Sequence, residues 1–165
     1  MAGHTDNSIE ISAPPELTWR IANDLGRWTE LFAGEYASVE VLAESADRVR
    51  FRLTTEPRDG RVFSWVSERC PDHERRTVTA RRVETGPFRY MHIFQTVTPA
   101  PGGGSVLRWV QDFEAGPAAP FTDEQMQAHI DGSTTANLLR HKEVIERAAA
   151  DPPAADRPAA VAGRS

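Results

Sequence analysis

The run from Arg61 to Arg69 places side chains suited to holding a polar ligand at every second position. Its aromatic and β-branched residues favour a strand, in which alternate side chains share a face. One face, which we expect to be buried, carries two rings, a hydroxyl and a guanidinium, from Phe63, Trp65, Ser67 and Arg69. A buried guanidinium must meet a carboxylate, face a wet cavity or bind a polar ligand, because an unpaired buried charge is costly. Alternatively, Pro71 marks a strand end and Arg69 lies in solvent.

Composition limits the class of protein to which this strand can belong. The 165 residues fit one domain, and 39% hydrophobic with 26% charged residues is typical of a globular chain. A net charge of -5 gives no general attraction to nucleic acid or to an anionic membrane. The first residues lack a leader pattern, and no apolar run approaches the length of a membrane span. We therefore expect a soluble, cytoplasmic protein.

Cysteine and histidine give no indication of a metal site. Cys70 is the single cysteine, which excludes an internal disulfide and does not support a structural zinc site. The five histidines, at positions 4, 73, 92, 129 and 141, lack the spacing of metal ligands. We expect no metal and no cofactor.

The hydrophobic pattern predicts the elements that position the Arg69 strand. A strand at 7–12 is followed by a short helix beginning at Pro14 and Pro15, and by a second short helix from Asn23 and Asp24 to Phe32. Six further strands are predicted at 36–43, 48–54, 61–69, 77–83, 88–98 and 106–114. Their short connections predict an antiparallel meander.

A long helix, predicted from Phe121 to about Ala149, completes the pattern. Thr122 can cap it, with Gln125 three residues later in a capping box. Gly132 lies in its middle at a cost of about 1 kcal/mol against alanine, so we expect close packing or a ligand there.

Polar residues recur at a spacing of four along this helix, at His129, Ser133 and Asn137. Residues four apart share a helix face, so this face could point into a cavity or form a helix edge in water.

The order of elements predicts an α+β fold. A curved, seven-stranded antiparallel sheet would wrap round the long C-terminal helix, with two short helices after the first strand closing one end of a cavity. The domain is expected to span residues 1–149. Residues 150–165, rich in Ala and Pro without apolar periodicity, are expected to form a disordered tail.

The element order resembles the helix-grip fold of the START and Bet v 1 superfamily, and six segments narrow the resemblance. They are Thr5-Asp6-Asn7, Trp28-Thr29-Glu30-Leu31-Phe32, Glu35-Tyr36-Ala37, Trp65-Val66-Ser67-Glu68-Arg69, Arg82-Val83-Glu84-Thr85-Gly86-Pro87-Phe88-Arg89-Tyr90-Met91 and Arg108-Trp109-Val110-Gln111-Asp112-Phe113. Over about residues 5 to 147 the chain is similar to the single-domain aromatase/cyclases of bacterial type II polyketide synthases, in the tetracenomycin and spore-pigment group.

The resemblance implies an enzyme that folds a poly-β-ketone held on the acyl carrier protein of a minimal polyketide synthase. It would direct aldol closure of the first ring, usually C9 to C14, and then a lyase-like dehydration to an aromatic ring. Arg69 would polarise a ketone, helped by Ser67 and Tyr36. A guanidinium can stabilise a developing oxyanion without changing its own charge, and a phenol can transfer a proton.

The resemblance also implies the substrate-binding residues, with aromatic rings as flat apolar walls. The set comprises Phe63, Trp65, Trp28, Phe32, Met91, Ile93, Gln95, Trp109, Gln111, Met126, His129, Ser133 and Asn137. Plainer readings stay open: Trp65 and Trp109 could be core, and Gln111 could pair across the sheet.

Two departures from the family pattern bear on the position at which the ring closes. An extra residue within segment 32–36 could move Tyr36 relative to Arg69. Gln95 stands where relatives tend to have tryptophan, which gives a smaller and more polar wall.

Two other functions are compatible with the same fold. A binding module would carry a lipid, quinone or other small molecule without chemistry, in a cavity with aliphatic lining. An interaction partner of a larger synthase would expose a large apolar patch and no accessible cavity. Carrier docking also fits the enzyme, because such carriers are usually acidic and Arg48, Arg50 and Arg52 could form a docking surface.

Overall fold

One antiparallel sheet and one long helix make up most of the computed structural model, which describes residues 2–151. The helices are α1 (Pro15–Ala22), α2 (Trp28–Leu31) and α3 (Asp123–Ala150). The strands are β1 (Gly3–Ile11), β2 (Tyr36–Glu44), β3 (Val49–Thr55), β4 (Ser64–Asp72), β5 (Thr77–Arg82), β6 (Phe88–Pro99) and β7 (Ser105–Ala115). All but the first two residues of the predicted tail lie outside the described residues.

The strand order is β1-β7-β6-β5-β4-β3-β2, so the predicted meander from β2 to β7 is confirmed. The first strand pairs with the last, where Gly3 lies opposite Phe113. Residues directly opposite each other share a sheet face. The row that contains Arg69 continues through Ala80, Ile93, Gln111 and Thr5. It faces α3, because Gln111 Nε2 donates to Thr134 Oγ1 of that helix at 2.8 Å. We call this the concave face.

The main core lies between the concave face and the helices. Its fully buried side chains include Ile11, Leu31, Leu107 and Ile145. A smaller cluster surrounds Phe113 nearer the N-terminal end of α3. The predicted α+β class and helix-grip architecture are therefore confirmed.

The first strand begins at Gly3, four residues before its predicted start. The polar residues at the start of β1 have a low propensity for strands, but their side chains have partners on the neighbouring strand. Asp6 accepts hydrogen bonds from the Arg108 guanidinium, and buried Thr5 accepts one from Gln111. Partners on β7 thus override local propensity.

The second predicted helix is a 3₁₀ turn, Leu25–Arg27, followed by the four-residue α2. The Asp24 carboxylate caps the turn by accepting from Gly26 N at 3.1 Å. Asn23 instead ends α1, which frees its side chain for another role.

The strand predicted at 61–69 begins only at Ser64, and the predicted place of Phe63 in the buried wall is wrong. Asp59 and Gly60 have φ of 49° and 73°, which gives the expected tight turn. Beyond that turn, Phe63 N donates to the Thr55 side chain at 3.0 Å. Phe63 precedes β4 and is 50% exposed, since the ladder to β3 is not yet regular there.

The predicted capping box of α3 is confirmed, but the expected close packing at Gly132 is wrong. Thr122 and Gln125 exchange both hydrogen bonds of the box. A Cβ at Gly132 would meet nothing within 4 Å, and the residue is exposed. No helix of residues 2–151 is both long and apolar enough to cross a bilayer.

Candidate active site

The Arg69 guanidinium lies on the concave face and is held by neutral groups. Arg69 is 4% exposed, and its Nη2 and Nη1 atoms donate to Asn23 Oδ1 at 2.7 Å and to Gln95 Oε1 at 3.2 Å. Its Cζ lies 4.9 Å from the ring centroid of Trp28. Within residues 2–151, no carboxylate pairs with it. Burial lowers its pKa to about 10, so the group stays cationic at neutral pH.

A cavity of about 300 Å³ reaches this guanidinium from one end of the sheet. It is bordered by the 3₁₀ turn at 25–27, by Ser45 and Ala46 of the β2–β3 turn, and by His73. A second depression, of about 360 Å³, includes Glu68 and Cys70, which point to the opposite, convex face. Of these two, it is the first that borders Arg69.

Tyr36 begins β2 and lies in a separate aromatic group. Its ring centroid is 4.9 Å from that of Phe32 and 6.1 Å from that of Trp65. The hydroxyl has no hydrogen-bond partner among the described residues. Burial, together with the neighbouring Glu35 carboxylate, raises its pKa, so Tyr36 is a neutral phenol that can donate a proton.

A second cation, the half-buried Arg82, accompanies Tyr36. Its Cζ lies 3.9 Å from the ring centroid of Trp65 and 5.0 Å from that of Phe88. Burial lowers its pKa to about 10, and the described residues supply no carboxylate partner. The residue lies opposite Ser67 in the β4–β5 ladder.

Ser67 lies between the two groups on β4. It is 7% exposed, and its hydroxyl makes no hydrogen bond to the described residues. Strand geometry separates its Cα from those of Trp65 and Arg69 by about 7 Å each. The three predicted catalytic residues thus share the concave face, but Arg69 and Tyr36 belong to two groups rather than one.

Phe32 joins the two groups. Its ring centroid lies 5.1 Å from that of Trp28 beside Arg69 and 4.9 Å from that of Tyr36. It also stacks on Trp109 at 5.6 Å. Trp109 is 5% exposed, and its indole N–H has no acceptor among the described residues. The predicted aromatic residues Trp28, Phe32, Trp65 and Trp109 thus pack together in the main core, and their role as a wall for substrate stays a prediction.

The helix contributes Asn137 but not His129. The side-chain amide of Asn137 donates to the Glu35 carboxylate, and Ser133 is half-buried. The buried line of α3 runs through Ile130, Thr134, Asn137 and His141. His129 lies one position off this line and is exposed, so its predicted place in the cavity is wrong.

His141 is a buried group that sequence reasoning missed. Its Nδ1 donates to the Asn137 carbonyl at 2.7 Å, and its ring meets Phe32 and Trp109 edge-on at 4.9 Å. Burial, opposed by that hydrogen bond and aided by the Arg69 charge, lowers its pKa to about 4. The imidazole is therefore neutral near pH 7, with its lone pair on Nε2.

Three other predicted wall residues lie toward the N-terminal end of α3. Met91 is buried, and Ile93 and Met126 pack beside it in the smaller cluster around Phe113. These residues close that end of the concave face. Gln111 lies between them and the aromatic group and is bonded to the helix.

Sequence reasoning missed four polar members of the site: Asn23, Glu35, Arg82 and His141. A signal existed for two of them. His141 follows Asn137 by four residues, and Arg82 alternates with Ala80 in β5. The pairing of Asn23 with Arg69 depends on tertiary structure and has no local signal.

Together these groups suit chemistry at an oxygen that becomes negative. Among residues 2–151, the buried Arg69 and the half-buried Arg82 have no carboxylate partner, and a neutral phenol and a serine hydroxyl lie on the same face. Fixed donors in a site of low dielectric stabilise an oxyanion or enolate strongly. The aromatic rings provide flat surfaces for a planar ligand.

Comparison with known proteins agrees with this chemistry. The model of the family described as "Polyketide cyclase / dehydrase and lipid transport" matches residues 2–146. A protein of Streptomyces cyaneus, provisionally named a polyketide cyclase, is 47% identical over 154 residues, which cover 93% of this chain and 100% of that protein.

Solved structures agree on the fold. The Zhui aromatase/cyclase from Streptomyces sp. R1128 matches with a TM-score of 0.82 and 21% identity, covering 96% of this chain and 100% of that chain. A START superfamily protein from Mycobacterium smegmatis matches with a TM-score of 0.69 and 14% identity. The match covers 87% of this chain and 97% of that chain. The fold is that of the START and Bet v 1 superfamily.

Proposed function

Because the chain belongs to the polyketide cyclase / dehydrase and lipid transport family, we propose that it is an aromatase/cyclase acting on a carrier-bound poly-β-ketone. It directs aldol closure of the first ring between C9 and C14 and then removes water to give an aromatic ring. The observation that carries this proposal is the buried, un-neutralised Arg69 at the end of an open cavity.

Arg69 binds the ketone oxygen that is attacked. The nucleophile is the enol form of an acidic methylene of the same chain. As the new carbon–carbon bond forms, the attacked oxygen becomes an alkoxide whose charge the guanidinium stabilises, and the O–H proton released by the enol passes through water to that alkoxide. In the dehydration step, Tyr36, a neutral phenol in the second group, protonates the departing hydroxyl once the new ring has moved toward that group; the hydroxyl leaves as water, and the proton lost from the adjacent carbon restores the phenol. Ser67 and Arg82 bind oxygens of the chain between these two sites.

The walls select the folded form of the substrate. A poly-β-ketone has many reactive conformers, so holding one of them supplies much of the selectivity. In this proposal, the rings of Trp28, Phe32, Trp65 and Trp109, which pack together, supply the flat apolar surfaces against which the chain bends. The Gln95 side chain fills less of that space than a tryptophan would. Its oxygen already accepts a hydrogen bond from Arg69.

The acyl carrier protein docks on the arginines of the convex face near the opening. Arg48, Arg50 and Arg81 lie 3.9, 2.9 and 3.5 Å from the carboxylate of Glu68, so three cations share one anion. Their side chains are between 45% and 61% exposed. Arg48 adjoins the β2–β3 turn that borders the cavity, which brings an acidic carrier and its tethered chain to the opening.

The experiment is reconstitution with a minimal polyketide synthase and its carrier. Wild type is expected to shift the products toward one ring register, identified by mass and ring pattern. Arg69→Ala is expected to restore the spontaneous mixture, while Arg89→Ala is the matched control, because Arg89 is exposed and pairs with Glu114.

If wild type leaves the spontaneous mixture unchanged, the cyclase function is refuted. A ligand screen would then test the non-catalytic binding of a lipid, quinone or other small molecule. If Arg69→Ala behaves like wild type while remaining folded, the function can stand but the role given to Arg69 cannot.

A further inference from the structure

We propose that Asn23 and Gln95 are positioning residues for Arg69, and that their neutral oxygens fix the guanidinium while leaving its positive charge available to substrate. This inference rests on the proposed function and deepens it. The two residues come from separate elements, the end of α1 and the middle of β6, and both bonds end on the Arg69 side chain.

Asn23 is itself held in one orientation. Its side-chain Nδ2 donates to the Trp19 carbonyl at 2.8 Å, and its backbone N–H donates to the same carbonyl at 3.1 Å. Rotating the amide by half a turn would place the NH₂ group against the cationic guanidinium. The oxygen is therefore directed at Arg69 Nη2, 2.7 Å away.

Gln95 provides the second fixed point. Its Oε1 accepts from Nη1, while Asn23 accepts from Nη2, so the two amides hold different arms of the guanidinium. Two acceptors on separate elements define the direction of the planar group. Of the five N–H donors of an arginine, this arrangement leaves three for water or a ligand.

The two acceptors are neutral, and this leaves the positive charge of Arg69 uncancelled. A carboxylate at either position would form an ion pair and cancel much of the field that stabilises an enolate oxygen. An amide oxygen accepts the same hydrogen bond but carries only a partial negative charge, because the amide group is neutral. Trp28 adds a further neutral contact on the ring face. The site thus satisfies a buried cation without neutralising it.

Asn23→Asp and Gln95→Glu test this proposal, because each changes charge with little change in shape. We expect each to form an ion pair with Arg69 and to reduce the rate of register-specific product formation at least tenfold. Gln95→Glu should keep or raise thermal stability, whereas Asn23→Asp also loses the hydrogen bond to the Trp19 carbonyl and should lose some stability while remaining folded. Gln127→Glu is the matched control, since Gln127 accepts from His4 N outside the cavity and the same exchange there should leave the rate unchanged.

A purely structural role for Asn23 and Gln95 predicts a different result. A carboxylate binds a guanidinium at least as well as an amide does, so a structural clamp would keep activity in both folded acidic variants, and in Gln95→Glu it would keep stability as well. Full activity in stable Asn23→Asp and Gln95→Glu proteins would therefore overturn the proposal.

A probe that is not turned over separates this inference from the proposed function. An aryl 1,3-diketone has different absorption spectra as enol and enolate, so its pKa can be titrated when it is bound. Wild type should lower that pKa, and the two acidic variants should return it toward the free value by about one unit or more, a tenfold change in the equilibrium. Wild type that leaves the probe pKa unchanged overturns the inference, whereas a lowered pKa without any product shift refutes only the cyclase function.

Discussion

His141 should make the fold sensitive to mild acid. The imidazole is 1% exposed and its pKa is lowered to about 4, from 6.5 in the unfolded chain. Because the folded pKa is lower, the unfolded chain binds the proton first as the pH falls. The neutral imidazole's contribution to stability is complete above about pH 6.5 and is lost progressively between about pH 6.5 and pH 4.

The size of the effect follows from the two pKa values. A difference of about 2.5 units at 1.36 kcal/mol per unit gives a maximum loss of about 3 kcal/mol. Between about pH 7.5 and pH 5 the loss should be about 2 kcal/mol, since the folded state is then still unprotonated. The positive charges of Arg69 and Arg140 lower the pKa of His141 further, in the same direction as burial.

Urea unfolding of wild type and His141→Gln at the two pH values measures this loss. Glutamine does not titrate, so the difference between the two proteins should narrow by about 2 kcal/mol at the lower pH. Carboxylates with lowered pKa, such as Asp6 and Glu146, also weaken the fold in acid, but they do so equally in both proteins. A difference that is independent of pH would show that His141 titrates normally when folded.

Two glycines make opposite predictions for stability. Gly132→Ala should raise the free energy of unfolding by about 1 kcal/mol, because the site is exposed, helical and free of neighbours within 4 Å. A lower free energy of unfolding in urea would contradict this and would mean that another group packs against Gly132. Gly3→Ala should lower it by about 1–3 kcal/mol, because a new Cβ would lie 2.2 Å from Cζ of the fully buried Phe113, and an unchanged midpoint would contradict that clash.

The fold could be predicted because the sequence repeats its signals. Period-two alternation, glycine and proline turns and the capping box at Thr122 all indicate the same order of elements, and all seven strands and the long helix occur. Errors arose where tertiary partners decide the outcome. β1 extends to Gly3 through pairing with β7. The Phe63 carbonyl accepts from Thr55 N, but the Phe63 N–H is bonded to the Thr55 side chain rather than to a backbone carbonyl, and regular pairing begins at Ser64.

The site could be predicted only as far as residues share a face. Alternation in β4 placed Ser67 and Arg69 together, and helical spacing found Asn137. The same spacing gave the wrong position for His129. An α-helix has 3.6 residues per turn, so residues at repeated steps of four rotate gradually away from one face. Nothing in the sequence indicates which oxygen accepts from Arg69, since Asn23 is 46 residues away and belongs to a helix end.

The same separation in sequence has a consequence for the order in which the molecule is assembled. Arg69 meets Asn23 46 residues before it and Gln95 26 residues after it, and Asn137 meets Glu35 across 102 residues. Such contacts carry a larger loop-closure cost than the pairing of strands joined by a short turn, so they tend to form later. The guanidinium can leave water at little cost only once α1 and β6 have both docked. Both hydrogen bonds of Arg69 can therefore form only in a chain whose α1 and β6 have reached their native positions, so this part of the site is completed at a late stage of folding.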